Sequence, residues 1–396
     1  MWEQIRDNRV KSMVLVAAMA GVLLLIGYFL GLAFFGSAIG GLVMALLVWG
    51  IMTAVAFFQG DNIFLAMSKA KKIERDDHPR LYNIVEEMKI ASGLEYMPAI
   101  YIIDDPAMNA FATGRDPKRA SVAVTSGLLQ KLNRDELQGV IGHELAHIKN
   151  RDVLLMTLCG VLLGTIVMIS WYMMHMLFWG GMFGGRRSSG GGGGGHVIVL
   201  VIGLVLMILA PIFTRLIYFA ISRKREYLAD ASSAQYTRYP EGLASALEKL
   251  GGSTVQLRSA NQALAPMYIS NPFRKEGRAA SDLSSTHPPI SERVRILRSM
   301  GGGASFADYD NAYAKVHKGG GSVMPASALA GAGAVGLRPA EPEPGKVERV
   351  RETSDLMWRM NNYKIINCDC GTKLKVPPKL KKANVKCPHC GRINPL

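Results

Sequence analysis

The chain has 396 residues, of which 49% are hydrophobic, and its mean hydropathy is +0.15. This composition excludes an ordinary soluble protein, because the apolar residues are concentrated in four long blocks. The formal net charge is +15, but the basic residues flank those blocks, which argues against nucleic-acid binding and favours contact with the lipid bilayer.

Four apolar runs are each close to or above the roughly 20 residues that a helix needs to cross a bilayer. The runs are Met13 to Phe35, Ser37 to Phe58, Leu154 to Trp179 and Val197 to Ser222. The first run is longer than the apolar core of a signal peptide, and a second follows at once, so membrane spans are expected rather than a cleaved leader. Lys and Arg flank the outer ends of both hairpins. The positive-inside rule then places both termini and residues 59–153 in the cytoplasm.

The segment between the two hairpins has the pattern of a compact α/β unit. Apolar residues at helical spacing predict a helix over Pro79 to Ser92, and two short apolar runs, Ala99 to Ile103 and Ala120 to Thr125, predict strands. After the fourth run, a helix is expected to continue from Arg223. Further helices are predicted over Glu241 to Leu250 and Ile290 to Met300.

His143-Glu144-Leu145-Ala146-His147 has the spacing of a metal site on a helix. Residues four apart lie on one helical face, so the two imidazoles can reach one Zn²⁺, with Glu144 beside them to accept a proton from water. Asn133 and Glu136 have the spacing of a helix-starting capping box. An apolar stripe follows at helical period: Leu137, Val140, Ile141, Leu145 and Ile148. The alternative is a buried amphipathic helix with two incidental histidines.

A catalytic zinc site usually has three protein ligands and one open position. The best candidate for the third ligand is Glu226, in the segment Arg-Glu-Tyr-Leu-Ala-Asp. Asp230 follows four residues later on the same helical face, where it can accept the second ring N–H of a ligating histidine. Taken alone, this pattern favours a solvated glutamate paired with neighbouring arginines.

The C-terminal part divides into a linker and a small module. Residues 301–360 are expected to be a flexible linker, because their Gly-, Ala- and Pro-rich first part has no periodicity. Two cysteine pairs, each followed by glycine, then predict a zinc ribbon with a structural Zn²⁺. The pairs are Cys368 with Cys370 and Cys387 with Cys390. A redox or iron–sulfur role is the alternative. The module is rich in lysine, but its lack of aromatic residues beyond Tyr363 argues against nucleic-acid binding.

Four sequence elements together resemble the HtpX-type membrane zinc peptidases, which are relatives of the CAAX prenyl-protein peptidases. They are Met108-Asn-Ala-Phe-Ala112, His143-Glu-Leu-Ala-His147, Arg225-Glu-Tyr-Leu-Ala-Asp-Ala231, and Ser285-Thr-His-Pro-Pro289 with Arg293. They occur in the family's order, and the resemblance runs from the first apolar run to about residue 300. The C-terminal module departs from a minimal chain of this type.

The resemblance implies that His143, His147 and Glu226 hold a catalytic zinc ion, with Asp230 supporting a ligand. Glu144 would be the general base. The same resemblance implies that Asn109 contacts the substrate backbone, and that His287 and Arg293 support the transition state or the local fold.

The expected fold is an α-helical membrane protein with a cytoplasmic α/β zincin-like metallopeptidase domain, mainly α, and a small C-terminal zinc ribbon. The expected units are a transmembrane hairpin at 1–60, a peptidase domain at 61–300 interrupted by a second hairpin at 154–222, the linker at 301–360 and the module at 361–396.

The expected function is cleavage of membrane-protein substrates at cytoplasmic or juxtamembrane segments in quality control, in what the resemblance implies is a bacterial inner membrane. The alternatives are a prenyl-protein peptidase and a non-catalytic adaptor that presents its zinc ribbon. The sequence leaves the substrates' identity and the oligomeric state open.

Overall fold

The computed structural model describes residues 2–158, 175, 223–258, 267–270, 287–319, 321–331, 333–342, 345–380 and 384–395. The third and fourth predicted spans therefore lie, except for residues 154–158 and 175, outside the described residues. The same holds for Ser285 and Thr286 of the fourth sequence element. Within the described residues the chain is mostly helical, as predicted.

The N-terminal part is a pair of long helices, α1 (Trp2–Phe35) and α2 (Ala38–Met67). Both are long and apolar enough to cross a membrane, judged by length and composition. They approach closely at Gly41, where an added Cβ would lie 1.9 Å from the carbonyl oxygen of Gly27. Large apolar side chains point outward from the pair, for example Ile39, which is 73% exposed. An apolar outer surface of this kind is what a lipid environment favours.

A four-stranded sheet follows, with strand order β1-β2-β4-β3. Its strands are β1 (Lys71–Ile73), β2 (Ala99–Ile103), β3 (Ala110–Thr113) and β4 (Ser121–Thr125). Strands β2 and β4 are parallel, whereas the other two pairs are antiparallel. The helix α3 (Pro79–Ser92) lies between β1 and β2 in the chain, and the short helix α4 (Ser126–Lys131) follows β4. The predicted helix and both predicted strands are confirmed, and β3 lies at one edge of the sheet.

Four further helices contribute to the main core: α5 (Arg134–Lys149), α6 (Arg223–Thr237), α7 (Pro240–Gly252) and α8 (Ile290–Arg298). The capping box predicted for α5 is present, since the Asn133 side chain accepts from the Glu136 backbone N–H and the Glu136 side chain accepts from that of Asn133. Helices α5 and α6 pack tightly enough for the Ser233 hydroxyl to donate to the Gly139 carbonyl at 2.6 Å. The buried α5 helix is thereby fixed against α6.

The structure differs from the flexible linker predicted over residues 301–360. Within the described part of this range there are three helices: α9 (Phe306–Val316), α10 (Ala326–Leu329) and α11 (Lys346–Met360). Phe306, Tyr309 and Ala312 are buried in the main core together with Leu356 of α11. Their spacing of three is helical, and it is masked in the sequence by the surrounding Gly, Ala and Pro residues.

The C-terminal module consists of two antiparallel hairpins, β5 (Lys364–Asn367) with β6 (Lys373–Val376) and β7 (Asn384–Lys386) with β8 (Ile393–Pro395). Its small core contains Cys368, Leu374 and Cys387. Lys373 Nζ lies 2.6 Å from Asp355 Oδ2 on α11, so the module contacts the helix that precedes it.

Candidate active site

Helices α5 and α6 bring the three predicted metal ligands together. The Nε2 atoms of His143 and His147 lie 3.2 Å apart, because the two residues are one helical turn apart on α5. From α6, the Glu226 carboxylate places Oε2 3.7 Å from His143 Nε2 and Oε1 3.6 Å from His147 Nε2. One ligand atom from each residue lies within 4.8 Å of the other two. Three side chains therefore converge on one point.

Each imidazole is oriented by a carboxylate on its far side. His143 Nδ1 lies 3.0 Å from Asp230 Oδ1, and His147 Nδ1 lies 2.9 Å from Asp152 Oδ2. Donation from each Nδ1 to its carboxylate fixes the ring orientation, and each Nε2 can then offer its lone pair to a metal ion that displaces any proton there. Two imidazoles and a carboxylate with these supports fit the donor set of a catalytic zinc site.

Asp152 was not predicted from the sequence. It lies beyond the C-terminal end of α5, where Arg151 adopts a left-handed φ of 57° and the chain turns back toward His147. The one available indication is an acidic residue five positions after the second histidine.

Glu144 is almost fully buried, at 1% exposure. Burial raises the pKa of its carboxyl to about 7, although the positive charge of His147 and a backbone hydrogen bond from Ala112 act in the opposite direction. A carboxyl with a pKa near neutrality can both accept and return a proton at physiological pH. Since Ala112 belongs to edge strand β3, the carboxylate lies between the metal-ligand set and that strand.

The surroundings shift the pKa values of the two histidines in opposite directions. Burial lowers the pKa of His143 to about 4. Burial also disfavours the charged form of His147, but the hydrogen bond to Asp152 and the charge of Glu226 outweigh it and raise the pKa to about 9. For Glu226, burial is outweighed by the surrounding histidines, first of all His287, so the pKa of its carboxyl lies well below its usual range. Glu226 is therefore ionised, as a metal ligand must be.

The cleft around these side chains includes His287 but not the Arg293 side chain. His287 Nδ1 lies 3.0 Å from Glu226 Oε2. Arg293 is fully buried and makes a bidentate pair with Asp230, at 2.8 and 2.6 Å. Arg293 therefore fixes the carboxylate that orients His143, which accords with a role in the local fold.

The Asn109 side chain has partners inside the fold. It is 3% exposed, its Nδ2 donates to the Ser270 carbonyl at 2.9 Å, and its Oδ1 accepts from the Ala110 N–H at 3.0 Å. Next to it, the Ile269 N–H donates to the Ala110 carbonyl, so residues 267–270 lie along β3 and help to line the cleft. The predicted contact between Asn109 and substrate stays a prediction.

Residues 75–301, more than half of the chain, match peptidase family M48. The chain belongs to this family. A protease HtpX homolog of Streptococcus thermophilus is 42% identical to it over 301 residues, which are 76% of this chain and 100% of the relative. A second protease HtpX homolog, from Thermoanaerobacter pseudethanolicus, is 43% identical over 300 residues, covering 76% of this chain and 98% of the relative.

Among solved structures, the crystal structure of S. mikatae Ste24p is similar, with a TM-score of 0.40 and 17% sequence identity. The similarity covers 75% of this chain and 67% of that chain. The resemblance to HtpX-type peptidases predicted from the four sequence elements is confirmed by the family match and the curated relatives.

The M48 match ends at residue 301, so the cysteine module lies outside it. Its four Sγ atoms lie within 4.8 Å of one another. Two of the separations are 3.5 Å between Cys368 and Cys390 and 3.7 Å between Cys370 and Cys387. Gly371 and Gly391 have φ of 82° and 75°, and this left-handed backbone turns each pair inward. The cluster is compatible with a zinc ribbon of four thiolates.

Proposed function

We propose that this M48 peptidase is a membrane-embedded, zinc-dependent endopeptidase that cleaves cytoplasmic or juxtamembrane segments of membrane proteins. The observation that carries the proposal is the convergence of His143, His147 and Glu226 beside a buried Glu144 whose pKa is raised to about 7. A non-catalytic adaptor has no need for a buried carboxyl of this kind, because burial destabilises its charged form.

In the proposed mechanism, the Nε2 atoms of His143 and His147 and the Glu226 carboxylate would hold a Zn²⁺ ion. When bound, the ion supplies Lewis acidity, which lowers the pKa of water and polarises a scissile carbonyl. Glu144 accepts the proton from the attacking water and returns it to the leaving amine, a transfer for which its raised pKa is suited. The Ala112 N–H hydrogen bond holds that carboxylate in position.

The remaining residues orient these groups. Asp230 and Asp152 fix the two imidazoles, and Arg293 fixes Asp230. His287, in the wall of the cleft, can donate a hydrogen bond to the oxyanion that develops on the substrate.

The membrane location of the substrate is supported by the walls of the cleft. Val153 and Met156 line it; Val153 immediately precedes the third predicted span, and Met156 lies in its first turn. The apolar helices α1 and α2 and the basic residues beside them support a multi-pass protein of a bacterial inner membrane, with the active site and both termini in the cytoplasm. The four cysteines would hold a second, structural Zn²⁺.

The proposal is tested with the purified full-length chain in detergent and an unprenylated membrane-protein substrate. Cleavage that is lost on chelation and restored by Zn²⁺ supports it. A matched peptide with and without a prenyl group tests the alternative, because a prenyl-protein peptidase would cleave only the prenylated form. Zinc-independent cleavage, or cleavage confined to the prenylated peptide, would overturn the proposal.

A further inference from the structure

The N-terminal helix contacts the groups that hold the metal-ligand set. Asn8 of α1 is 1% exposed, and its Nδ2 donates to Asp152 Oδ1 at 2.5 Å and to the carbonyl of Asn150 at 3.2 Å. An asparagine amide has two donor hydrogens, and these two contacts use both. The other oxygen of the same Asp152 carboxylate accepts from His147 Nδ1. A continuous chain of contacts therefore runs from α1 through Asp152 to His147.

The placement of Asn8 is supported by the packing around it. Further along α1, Leu15, Met19 and Leu23 share an apolar cluster with Leu155 and Leu158, which follow Asp152 in the chain. The helix α1 therefore contacts the same segment both at its polar end and along its apolar face.

Asp152 depends on these contacts because it is itself buried, at 1% exposure. Apart from His147, its nearest basic group among the described contacts is Arg225, whose Nη1 lies 3.9 Å from Oδ1, beyond hydrogen-bond distance. A buried carboxylate that loses a hydrogen-bond donor is left with an unpaired oxygen and becomes free to turn. A turned carboxylate holds the His147 ring less firmly.

We propose that Asn8 is a positioning residue of the metal centre, which acts through Asp152 on His147 and makes the membrane-anchoring helix α1 part of the zinc-binding structure. This proposal rests on the proposed function, since it concerns the same metal. It predicts that a change at Asn8 weakens metal binding even though Asn8 lies two contacts away from the metal-ligand set.

The test measures metal affinity in the full-length chain in detergent, by chelator competition with Co²⁺ as the probe. The visible bands of Co²⁺ bound by nitrogen and oxygen differ from those of a four-thiolate site, so the two sites are read separately. Asn8→Ala is expected to weaken binding at the histidine site about 10-fold, at the lower end of the effect of removing an outer-shell partner. Ser12→Ala is the matched control. The Ser12 hydroxyl is buried on α1 and donates to the Asn8 carbonyl, so this variant is expected to leave the affinity unchanged.

A double-mutant cycle separates positioning from a general structural effect. If Asn8 acts through Asp152, Asn8→Ala adds little further loss in an Asp152→Ala background. Should Asn8→Ala fail to fold, the isosteric Asn8→Asp is used instead. It faces Asp152 with a second carboxylate and is expected to weaken binding at least as much, and Asp152→Asn is expected to restore part of the loss.

An unchanged affinity in the Asn8 variant, or an undiminished effect in the Asp152→Ala background, would overturn the inference and leave the proposed function intact. The proposed function itself fails in a different way: the parent chain would then show no Co²⁺ bands that depend on His143 and His147.

Discussion

We predict that the folded chain loses stability in mild acid because of His78. It caps α3: its Nδ1 accepts from the Leu81 N–H at 3.1 Å, which fixes the proton on Nε2. The side chain is 2% exposed, and burial, assisted by the charge of Arg80, lowers its pKa to about 4 from an ordinary 6.5. Protonation of Nδ1 would remove the cap and place a positive charge at a helix N-terminus, which the helix dipole disfavours.

The sign and the size of the effect follow from this pKa. Between pH 6.5 and pH 4 the unfolded chain binds a proton at this site and the folded chain does not, so stability falls as the pH falls through this window. At 1.36 kcal/mol per pKa unit, the difference between the folded and unfolded pKa values lowers the free energy of unfolding by about 3 kcal/mol at pH 4 relative to pH 7. Above about pH 7.5, one unit beyond the unfolded-state pKa, the site contributes almost no pH dependence.

The matched variant is His78→Asn, because asparagine also accepts at a helix N-cap but does not titrate. Thermal unfolding of both proteins in the same detergent, from pH 7.5 to pH 4, gives the difference in Tm at each pH, and the contributions of all other groups cancel in that difference. The variant is expected to gain stability relative to the parent as the pH falls below 6.5. A difference that is independent of pH would refute the assignment of a buried, neutral His78.

Three further predictions concern the packing of α5 and the two candidate metal sites. In Gly139→Ala the new Cβ would lie 2.7 Å from Leu243 N, so the Tm is expected to fall, since overpacking costs about 1–3 kcal/mol. The control is Gly252→Ala, whose Cβ would have nothing within 4 Å and which is expected to raise the Tm. Equal changes of Tm in the two variants would contradict this prediction. Glu226→Gln is expected to lower zinc affinity, measured by chelator competition, by more than the roughly 10–100-fold effect of an outer-shell change. An unchanged affinity would remove Glu226 from the ligand set. Deletion of residues 361–396 is expected to lower zinc content by about one ion per chain and leave hydrolysis of small peptides intact; an unchanged content would exclude a zinc site there.

The parts of the site that lie within one helix could be predicted from the sequence. The capping box of α5 and the shared face of His143 and His147 depend only on spacing along that helix, and both are present. Glu226 lies far along the chain, and the spacing of residues alone favoured a solvated glutamate over a metal ligand. Only the resemblance to a family distinguished these two interpretations before the structure placed its carboxylate beside both imidazoles.

The parts that could not be predicted depend on long-range contacts or on local turns. Asp152 reaches His147 because Arg151 adopts a left-handed backbone, and Asn8 reaches Asp152 across more than 140 residues of sequence. Helical periodicity contains no information about either contact. Similarly, the Asn109 amide is held by the backbone of Ser270, a segment whose position against β3 depends on tertiary packing.

The central claim is that Glu144 is the proton-transferring base of a zinc peptidase rather than a metal ligand or a structural residue. The most direct test is Glu144→Gln, with zinc content and peptide hydrolysis measured on the same preparation and the exposed Glu348→Gln as control. The account predicts that Glu144→Gln keeps the zinc content of the parent and loses about 10²- to 10⁴-fold in hydrolysis, while the control is unchanged. Hydrolysis by Glu144→Gln at close to the parent rate would contradict it.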